Sequence, residues 1–428
     1  MMPIRTCSLT AMTIYQTIRL GTVQAFAGVS PPHAVEPVFS RSSSGALCCR
    51  YIASDGKKPV LVKRSVELMG LMVEEISYQR LLCLIVFCAF IAALTIGCLL
   101  RGEKTMNDEQ ASVDKILTEP DYDYEGFVDY IYNGDTYKLW YGRIGSGSGP
   151  PALVLHGGPG GNHHNLVAFQ ALADERPVIF YDQLGCGKSD RPDNPSLWTA
   201  ERYFDEVRAV RDGLGLKKYH LIGHSWGTTL AVGFAAKHPD GILSISLHSP
   251  VLNFPYYINY VTPKLKQGLS CLNGEAGQII DDYELRGVGT KSDYDEACME
   301  FTKRHVTRTW PLPEAMKKLI AARNAVIHDI MVASGSELNV PGNLKTVNVT
   351  SQLSRLDFPV LMTCGNYDLC TPAYTKWQSG FANDPQFHII QGSAHMTPVD
   401  RPLELLRLQR AFLREVENPS NNRVHRAR

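Results

Sequence analysis

The sequence predicts an α/β fold in which a mostly parallel β-sheet is flanked by helices and carries an inserted all-helical cap. Two observations lead to this fold class. From about residue 120, short apolar runs alternate with amphipathic helical stretches, a pattern typical of strands joined by helical crossovers. Between residues 254 and 352 this alternation stops and helical patterns dominate. A helical stretch placed between two sheet strands is expected to form a cap.

The expected elements follow from the positions of these runs. Strands are expected at residues 151–158, 177–183, 219–225, 242–249, 358–365 and 387–392. Helices are expected at residues 203–215, 228–239 and 402–416, and within the cap at residues 292–306 and 313–331. A binding or active site should lie beyond the carboxyl ends of the strands, where open α/β sheets bind their ligands.

Composition excludes several classes of protein. The chain has 428 residues, of which 44% are apolar and 20% are charged, values typical of a globular protein with a large core. Lys and Arg total 43, and so do Asp and Glu, so the chain lacks the surplus of cations that nucleic-acid binding needs. The eleven cysteines include no Cys-x-x-Cys pair, which argues against a zinc module or a disulfide scaffold. Neither a metal nor an organic cofactor is expected.

Residues 81–100 form an uncharged apolar run between Arg80 and Arg101. A helix of this length spans about 30 Å, the thickness of a bilayer core, so a single transmembrane helix is expected. More cations precede the run than follow it, and the positive-inside rule then places the N-terminus in the cytosol. Residues 1–50 carry four arginines and a single acid, Glu36. An organelle transit peptide, an unstructured leader or an early start codon therefore stay open, with a cytoplasmic or organellar location.

The expected organisation has seven segments. They are a disordered leader (1–80), the transmembrane helix (81–100), a linker (101–119), the first part of the α/β core (120–253), the helical cap (254–352), the second part of the core (353–416) and a disordered tail (417–428).

The most informative motif is Gly223-His224-Ser225-Trp226-Gly227, which matches Gly-x-Ser-x-Gly. An apolar run leads into the motif and a helix of small residues leads out of it. This is the context of a nucleophile elbow, a tight strand-to-helix turn that exposes a serine. The N-terminus of that helix favours negative charge developing at Ser225. An ordinary glycine turn is the alternative, and the strand and helix on either side disfavour it.

A serine nucleophile needs a base and an acid that orients the base. With this elbow the expected chain order is serine, carboxylate, histidine. Asp368 follows the predicted strand at 358–365, and His395 follows the predicted strand at 387–392. Ser225, Asp368 and His395 are therefore the expected catalytic residues.

A glycine-rich turn occupies residues 156–161. We expect the oxyanion hole to combine the backbone N–H of Trp226 with that of Gly158 in this turn. A phosphate-binding loop is the alternative, but the turn has neither a Gly-Lys-Ser/Thr ending nor Gly-x-Gly-x-x-Gly spacing. Asp182 precedes the serine and is expected to brace its own loop, and Cys186 in that loop is expected to be a small buried residue.

Five segments together resemble the proline iminopeptidase (prolyl aminopeptidase) family of α/β-hydrolases. They are HGGPGG at 156–161, YDQLGCGKSD at 181–190, GHSWGTTLA at 223–231, GNYDLCTP at 365–372 and GSAHMTPVDRP at 392–402. The likeness extends over residues 120–416, and the first two segments together are much more specific than the serine motif. It implies a serine aminopeptidase that releases N-terminal residues, preferably proline, from peptides with a free N-terminus. The first 119 residues have no counterpart in typical soluble members of the family.

The cap also resembles that of the family, at residues 294–311 and 335–344. This implies that Glu337 binds the free α-amino group of the substrate, as a carboxylate does through a charge-assisted hydrogen bond. A second cap glutamate usually assists, for which Glu300 and Glu314 are nearby candidates. A solvated Glu337 is the alternative. An amidase or carboxylic esterase of the same fold, and a catalytically silent membrane-anchored protein that binds a partner, stay open as other functions.

Overall fold

The structure, a computed structural model, describes residues 37–41, 47–51, 110–273 and 275–418. The chain divides into two compact units, residues 1–99 and residues 100–428. The predicted transmembrane helix, residues 81–100, lies outside the described residues. Among the helices that the structure does describe, none combines the length and the apolar character needed to cross a bilayer.

In the first unit, strand β1 (Pro37–Arg41) pairs with strand β2 (Leu47–Tyr51) in antiparallel register. This pair lies within residues 1–80, where the sequence analysis expects a disordered leader. The two strands are runs of apolar and β-favouring residues, and a serine-rich and glycine-containing segment separates them, which is the pattern of a hairpin.

The second unit is built on one eight-stranded sheet. Its strands are β3 (Tyr124–Tyr132), β4 (Asp135–Ile144), β5 (Ala152–Leu155), β6 (Val178–Tyr181), β7 (Tyr219–His224), β8 (Ile242–His248), β9 (Val360–Gly365) and β10 (Gln386–Ile390). Their spatial order is β10-β9-β8-β7-β5-β6-β4-β3. The pairs β3–β4 and β4–β6 are antiparallel, and the other neighbours are parallel. The predicted α/β fold with a mostly parallel sheet is confirmed.

The hairpin of β3 and β4 is the part of the sheet that the sequence analysis missed. Its two-residue turn is Asn133-Gly134, with φ values of 52° and 90°. Asn-Gly is a strong signal for a tight hairpin turn in which both central residues have positive φ. The central strands β5, β6 and β7 are buried along their whole length, as expected for a parallel sheet covered on both faces. Edge strand β3 instead alternates buried and exposed residues. This alternation is a weaker sequence signal than a continuous apolar run, so the strand is harder to recognise from the sequence.

The helices of the described part of this unit cover the sheet and form the cap. They are α1 (110–116), α2 (Ala200–Gly213), α3 (Trp226–Lys237), α4 (Thr262–Asn273), α5 (Ala276–Asp281), α6 (Lys291–Phe301), α7 (Glu314–Ala321), α8 (Ala325–Met331), α9 (Pro372–Ser379), α10 (Thr397–Asp400) and α11 (Pro402–Glu417). A short helical turn lies at Phe254–Tyr256, π-helical turns at Tyr257–Val261, Asp282–Arg286 and Thr302–Val306, and 3₁₀ turns at His163–Asp174, Pro195–Leu197, Asn343–Thr346 and Thr350–Arg355.

Helices α4 to α8 lie between strands β8 and β9 and form the cap. The stretch 313–331, expected as one helix, is divided into α7 and α8. Asn324 causes the break: its side chain caps Val326 N, and its own N–H donates to the carbonyl of Gly160. An asparagine favours such a cap over a helix interior because its side chain competes for backbone hydrogen bonds.

The expected linker, residues 101–119, contains more structure than predicted. Residues 110–116 form α1, and Leu117 is buried against Met316 of the cap and Met396 of the core. Apolar residues at helical spacing explain this packing, because they give an otherwise polar segment one face to bury.

Candidate active site

Ser225 lies at the turn between strand β7 and helix α3. Its backbone has φ 53° and ψ −123°, a conformation that costs free energy for a residue with a side chain. The turn is tight: a Cβ atom on Gly223 would lie 2.5 Å from the carbonyl oxygen of Gly227, and one on Gly227 would lie 2.1 Å from that of Leu155. The turn therefore needs both glycines, as a nucleophile elbow does, and its tight packing keeps Ser225 in this conformation at the carboxyl end of the sheet.

Asp368 and His395 meet beyond the ends of strands β9 and β10. Nδ1 of His395 lies 2.8 Å from Oδ1 of Asp368, and the same oxygen accepts a hydrogen bond from the N–H of Cys370 at 2.8 Å. The carbonyl of His395 accepts hydrogen bonds from Nε2 of His224 at 2.8 Å and from the hydroxyl of Ser249 at 2.9 Å. The histidine is thus held at both its ring and its backbone.

The electrostatics of this pair favour a basic imidazole. Burial by itself would lower the pKa of His395, but the Asp368 carboxylate outweighs this and raises the pKa above its ordinary value. Burial dominates at His224, whose pKa is well below its ordinary value. His224 is therefore neutral. Of the two histidines, His395 is the one that can take up a proton near neutral pH.

Two cavities meet at Ser225. The large cavity, of about 250 Å³, lies between core and cap and is lined by Ser225 and His395 together with apolar cap residues. The small cavity, of about 40 Å³, is lined by Trp226, Tyr257 and other mostly apolar residues. Gly158, Ser225 and Glu337 line both. The structure therefore brings the expected serine and histidine into one cavity, and Asp368 lies behind the histidine.

The expected oxyanion donors, Gly158 and Trp226, line the small cavity together with Ser225. Gly158 has φ +53°, and the space beside its Cα is open. At Gly157 a Cβ atom would lie 2.9 Å from the Cβ of Ser225. The turn therefore lies directly against Ser225, and Gly158 and Trp226 stay the predicted oxyanion donors.

Glu337 has the surroundings of a charged group at the edge of both cavities. Oε1 of Glu337 lies 3.6 Å from Nε2 of His328. Burial of the carboxyl opposes ionisation, but His328, Arg323 and His395 outweigh it and lower the pKa of Glu337 to about 2. Glu337 is thus ionised at neutral pH. Glu300 and Glu314, the candidates for a second glutamate, line neither cavity.

Asp182 braces its loop. It lies fully buried, and its carboxylate accepts hydrogen bonds from the N–H groups of His163 and Lys188 at 3.0 and 2.8 Å. His163 also pairs with Glu119, at 3.2 Å, so the segment before the core is tied to this loop. Cys186 is buried in the main hydrophobic cluster, and burial raises the pKa of its thiol.

Two groups of side chains in the described part of the chain have the composition of a metal site. Glu119, His163 and His164 form one of them. Lys188 and Lys318 lie 3.7 and 3.4 Å from the same glutamate, and cations at that distance make it an ion-pair network. The other is Asp368, Cys370 and His395, in which the raised pKa of the buried Cys370 thiol disfavours the thiolate that binds metals.

His305 lies in a π-helical turn of the cap and was not among the predicted site residues. Its carbonyl accepts hydrogen bonds from the N–H groups of Leu369 and His395, at 3.2 and 3.1 Å, and its Nδ1 bonds the carbonyl of Tyr367 at 2.8 Å. The cap thus holds both loops of the Asp368–His395 pair. No local pattern could have shown this, because the contacts span more than sixty residues.

Known proteins that are similar to this chain identify its family. A family model described as the alpha/beta hydrolase fold matches residues 150–270. A proline iminopeptidase from Heyndrickxia coagulans is 37% identical over 293 residues, which are 68% of this chain and 99% of that protein. The chain belongs to the proline iminopeptidase family. A second relative, a proline iminopeptidase from Lactobacillus helveticus (strain DPC 4571), is 34% identical over 65% of this chain and 94% of its own length.

Solved structures agree with this family. The crystal structure of a proline iminopeptidase from Mycobacterium smegmatis superposes with a TM-score of 0.63 and 29% identity, and it covers 69% of this chain and 100% of that chain. VinJ, at 24% identity, has the same TM-score and shares the fold. The resemblance of the five motif segments to the proline iminopeptidase family is confirmed.

Proposed function

We propose that the chain is a serine aminopeptidase that releases an N-terminal residue, preferably proline, from peptides through an acyl-enzyme. One observation carries this proposal: Glu337 lines the same two cavities as Ser225. An ionised carboxylate beside a nucleophile can hold the free amine of a substrate while the carbonyl of that same residue lies at the serine. Membership of the proline iminopeptidase family supports the preference for proline.

The reaction divides into two acyl transfers. His395 takes the proton of Ser225, and Oγ of Ser225 forms a bond to the carbonyl carbon of the N-terminal residue. The N–H groups of Trp226 and Gly158 hold the oxyanion, and Asp368 stabilises the imidazolium. His395 then gives its proton to the leaving amine as the peptide bond breaks. A water molecule, deprotonated by His395, attacks the ester, and the N-terminal amino acid leaves as Ser225 regains its proton.

The two cavities suggest which part of the substrate lies where. The small cavity is closed in by Trp226, Tyr257 and Phe254, so it suits a compact apolar ring such as the pyrrolidine of proline. The large cavity, lined by cap residues that include Met316 and Leu319, then takes the rest of the peptide.

The test combines labelling with a substrate panel. Wild type and Ser225→Ala are treated with a fluorophosphonate probe, and both are assayed on prolyl, alanyl and N-blocked ester reporters. We expect the label on wild type alone, and prolyl turnover that falls by roughly four to six orders of magnitude in the variant. Turnover of esters without aminoacyl substrates would identify an esterase. An unlabelled Ser225 in folded wild type would overturn the serine mechanism and favour a catalytically silent protein.

We also propose that residues 81–100 anchor the chain as a single-pass membrane protein with a cytosolic N-terminus. The uncharged run of twenty residues and the surplus of cations before it support this. In sealed vesicles from expressing cells, residues 120–428 should resist added protease until detergent is supplied. Digestion without detergent would reverse the orientation, and recovery of the full-length chain in the soluble fraction would exclude the anchor.

A further inference from the structure

The loop that carries Glu337 has an unfavourable local conformation. Glu337 itself has φ 61°, in the left-handed region that residues with a Cβ atom adopt at a cost in free energy. Two residues before it, a Cβ atom on Gly335 would lie 2.3 Å from the hydroxyl oxygen of Tyr294. The loop therefore packs closely against helix α6. It adopts this conformation only if contacts with the surrounding groups stabilise it.

Glu284 accepts three hydrogen bonds from the loop and one from helix α6. Its Oε1 accepts hydrogen bonds from the N–H of Ser336 at 2.9 Å and from the hydroxyl of Tyr294 at 2.7 Å. Its Oε2 accepts from the hydroxyl of Ser336 at 3.1 Å and from Nδ2 of Asn339 at 2.8 Å. One carboxylate thus binds the residue directly before Glu337 and the residue two positions after it.

The hydrogen bonds of Glu284 are part of a larger hydrogen-bond network in the cap. Asn339 also accepts a hydrogen bond from Nζ of Lys266 at 2.8 Å and donates to Asp281 at 3.2 Å. On the other side of the loop, the hydroxyl of Tyr257 donates to the carbonyl of Glu337 at 3.2 Å. The backbone of Glu337 is therefore fixed on both sides, and the residue lines the two cavities.

We infer that Glu284 is a positioning residue for the amine-binding carboxylate: it fixes the loop at residues 334–339 so that Glu337 faces Ser225. This inference rests on the proposed function. Glu284 lines neither cavity, so it acts on substrate only through the loop that it holds. A carboxylate is required there because each of its oxygens accepts two hydrogen bonds, whereas an amide would present N–H groups to donors on one side.

The test is the substitution Glu284→Gln, which keeps the size of the side chain. We expect kcat/KM for a prolyl reporter with a free amine to fall by about tenfold or more relative to kcat/KM for an N-blocked ester, chiefly through KM. Glu296→Gln, at an exposed carboxylate of helix α6, is the matched control and should leave the ratio at its wild-type value. If Glu284→Gln fails to fold, Tyr294→Phe removes one donor to Glu284 and should lower the ratio by a smaller factor.

A double-mutant cycle separates positioning from general support of the cap. In a Glu337→Gln background, Glu284→Gln should cause no further loss of the amine preference, because both substitutions act on one interaction. Equal losses on both reporters, or a full additional loss in the double variant, would overturn the inference. The proposed function fails in a different way: wild type itself would then show no preference for free-amine prolyl substrates.

Discussion

Asp400 joins the cap to the loop of His395, and Thr307 is its partner on the cap. The hydroxyl of Thr307 donates to Oδ1 of Asp400 at 2.9 Å, and the N–H groups of Arg308 and Thr309 donate to the same oxygen at 2.9 and 3.0 Å. Oδ2 of Asp400 accepts a hydrogen bond from the N–H of Ala394 at 2.8 Å. Because Ala394 directly precedes His395, the position of His395 depends on where the cap segment lies.

The substitution Asp400→Ala should therefore affect both stability and rate. It leaves several partly buried donors without their acceptor, which costs about 1–3 kcal/mol in the free energy of unfolding. It should also lower kcat on prolyl and N-blocked ester reporters alike, since the base serves both. Denaturant titration and steady-state kinetics measure the two effects. Asp357→Ala, a change at an exposed aspartate of the core, is the comparison. A variant with wild-type kcat and lowered stability would show that Asp400 supports the fold alone.

Glu337→Gln should discriminate between substrates. Without the carboxylate, the ammonium group of a substrate lacks a counter-charge, so kcat/KM for free-amine prolyl substrates should fall by an amount worth about 2–4 kcal/mol. N-blocked esters should be far less affected. Glu314→Gln serves as the control, because Glu314 lies at the exposed start of helix α7 and lines neither cavity. An equal loss on both substrate types would mean that Glu337 holds the cap together and does not bind the amine.

Sequence patterns predicted those parts of the molecule in which neighbouring residues determine the outcome. Strands β5 to β9 are short apolar runs, and their burial on both faces makes the run itself a sufficient signal. The hairpin of β3 and β4 has one exposed face, so its apolar residues are interspersed with charged ones. Asn324 likewise divides the helix predicted at 313–331 through a contact with Gly160, which helical periodicity cannot show.

The same distinction holds at the site. Ser225, Asp368 and His395 each follow a predicted strand, so chain order and position were enough to select them. Glu284 and Asp400 act through hydrogen bonds to residues that lie 52 and 93 positions away, and no spacing rule connects such residues. Selecting them requires the fold, because an isolated acidic residue in a helical stretch is most often solvated.

The pH dependence of His395 can be measured with an N-blocked ester, because such a substrate has no free amine that titrates in the same range. The raised pKa of His395 means that the base is protonated, and inactive, up to a pH above the ordinary value of about 6.5. kcat/KM for an N-blocked ester should therefore rise with pH and level off only above that value. In Asp368→Asn the rate should be lower and the midpoint should move down, because burial then acts on His395 without the opposing carboxylate. A midpoint that does not move would show that Asp368 does not set the pKa of the base.

His163 should make stability depend on pH in the alkaline range. Burial by itself would lower the pKa of His163, but Asp182 and Glu119 outweigh it and raise the pKa to about 9. A group whose pKa is raised on folding stabilises the folded state fully below its unfolded pKa, about 6.5, and this contribution is lost as the pH rises through 9. The loss is on the order of 3 kcal/mol in the free energy of unfolding. Urea titrations of the full-length protein between these pH values should show this decline in wild type and in His388→Gln. The decline should be much smaller in His163→Gln, and parallel declines in all three proteins would show that His163 is neutral in the folded state.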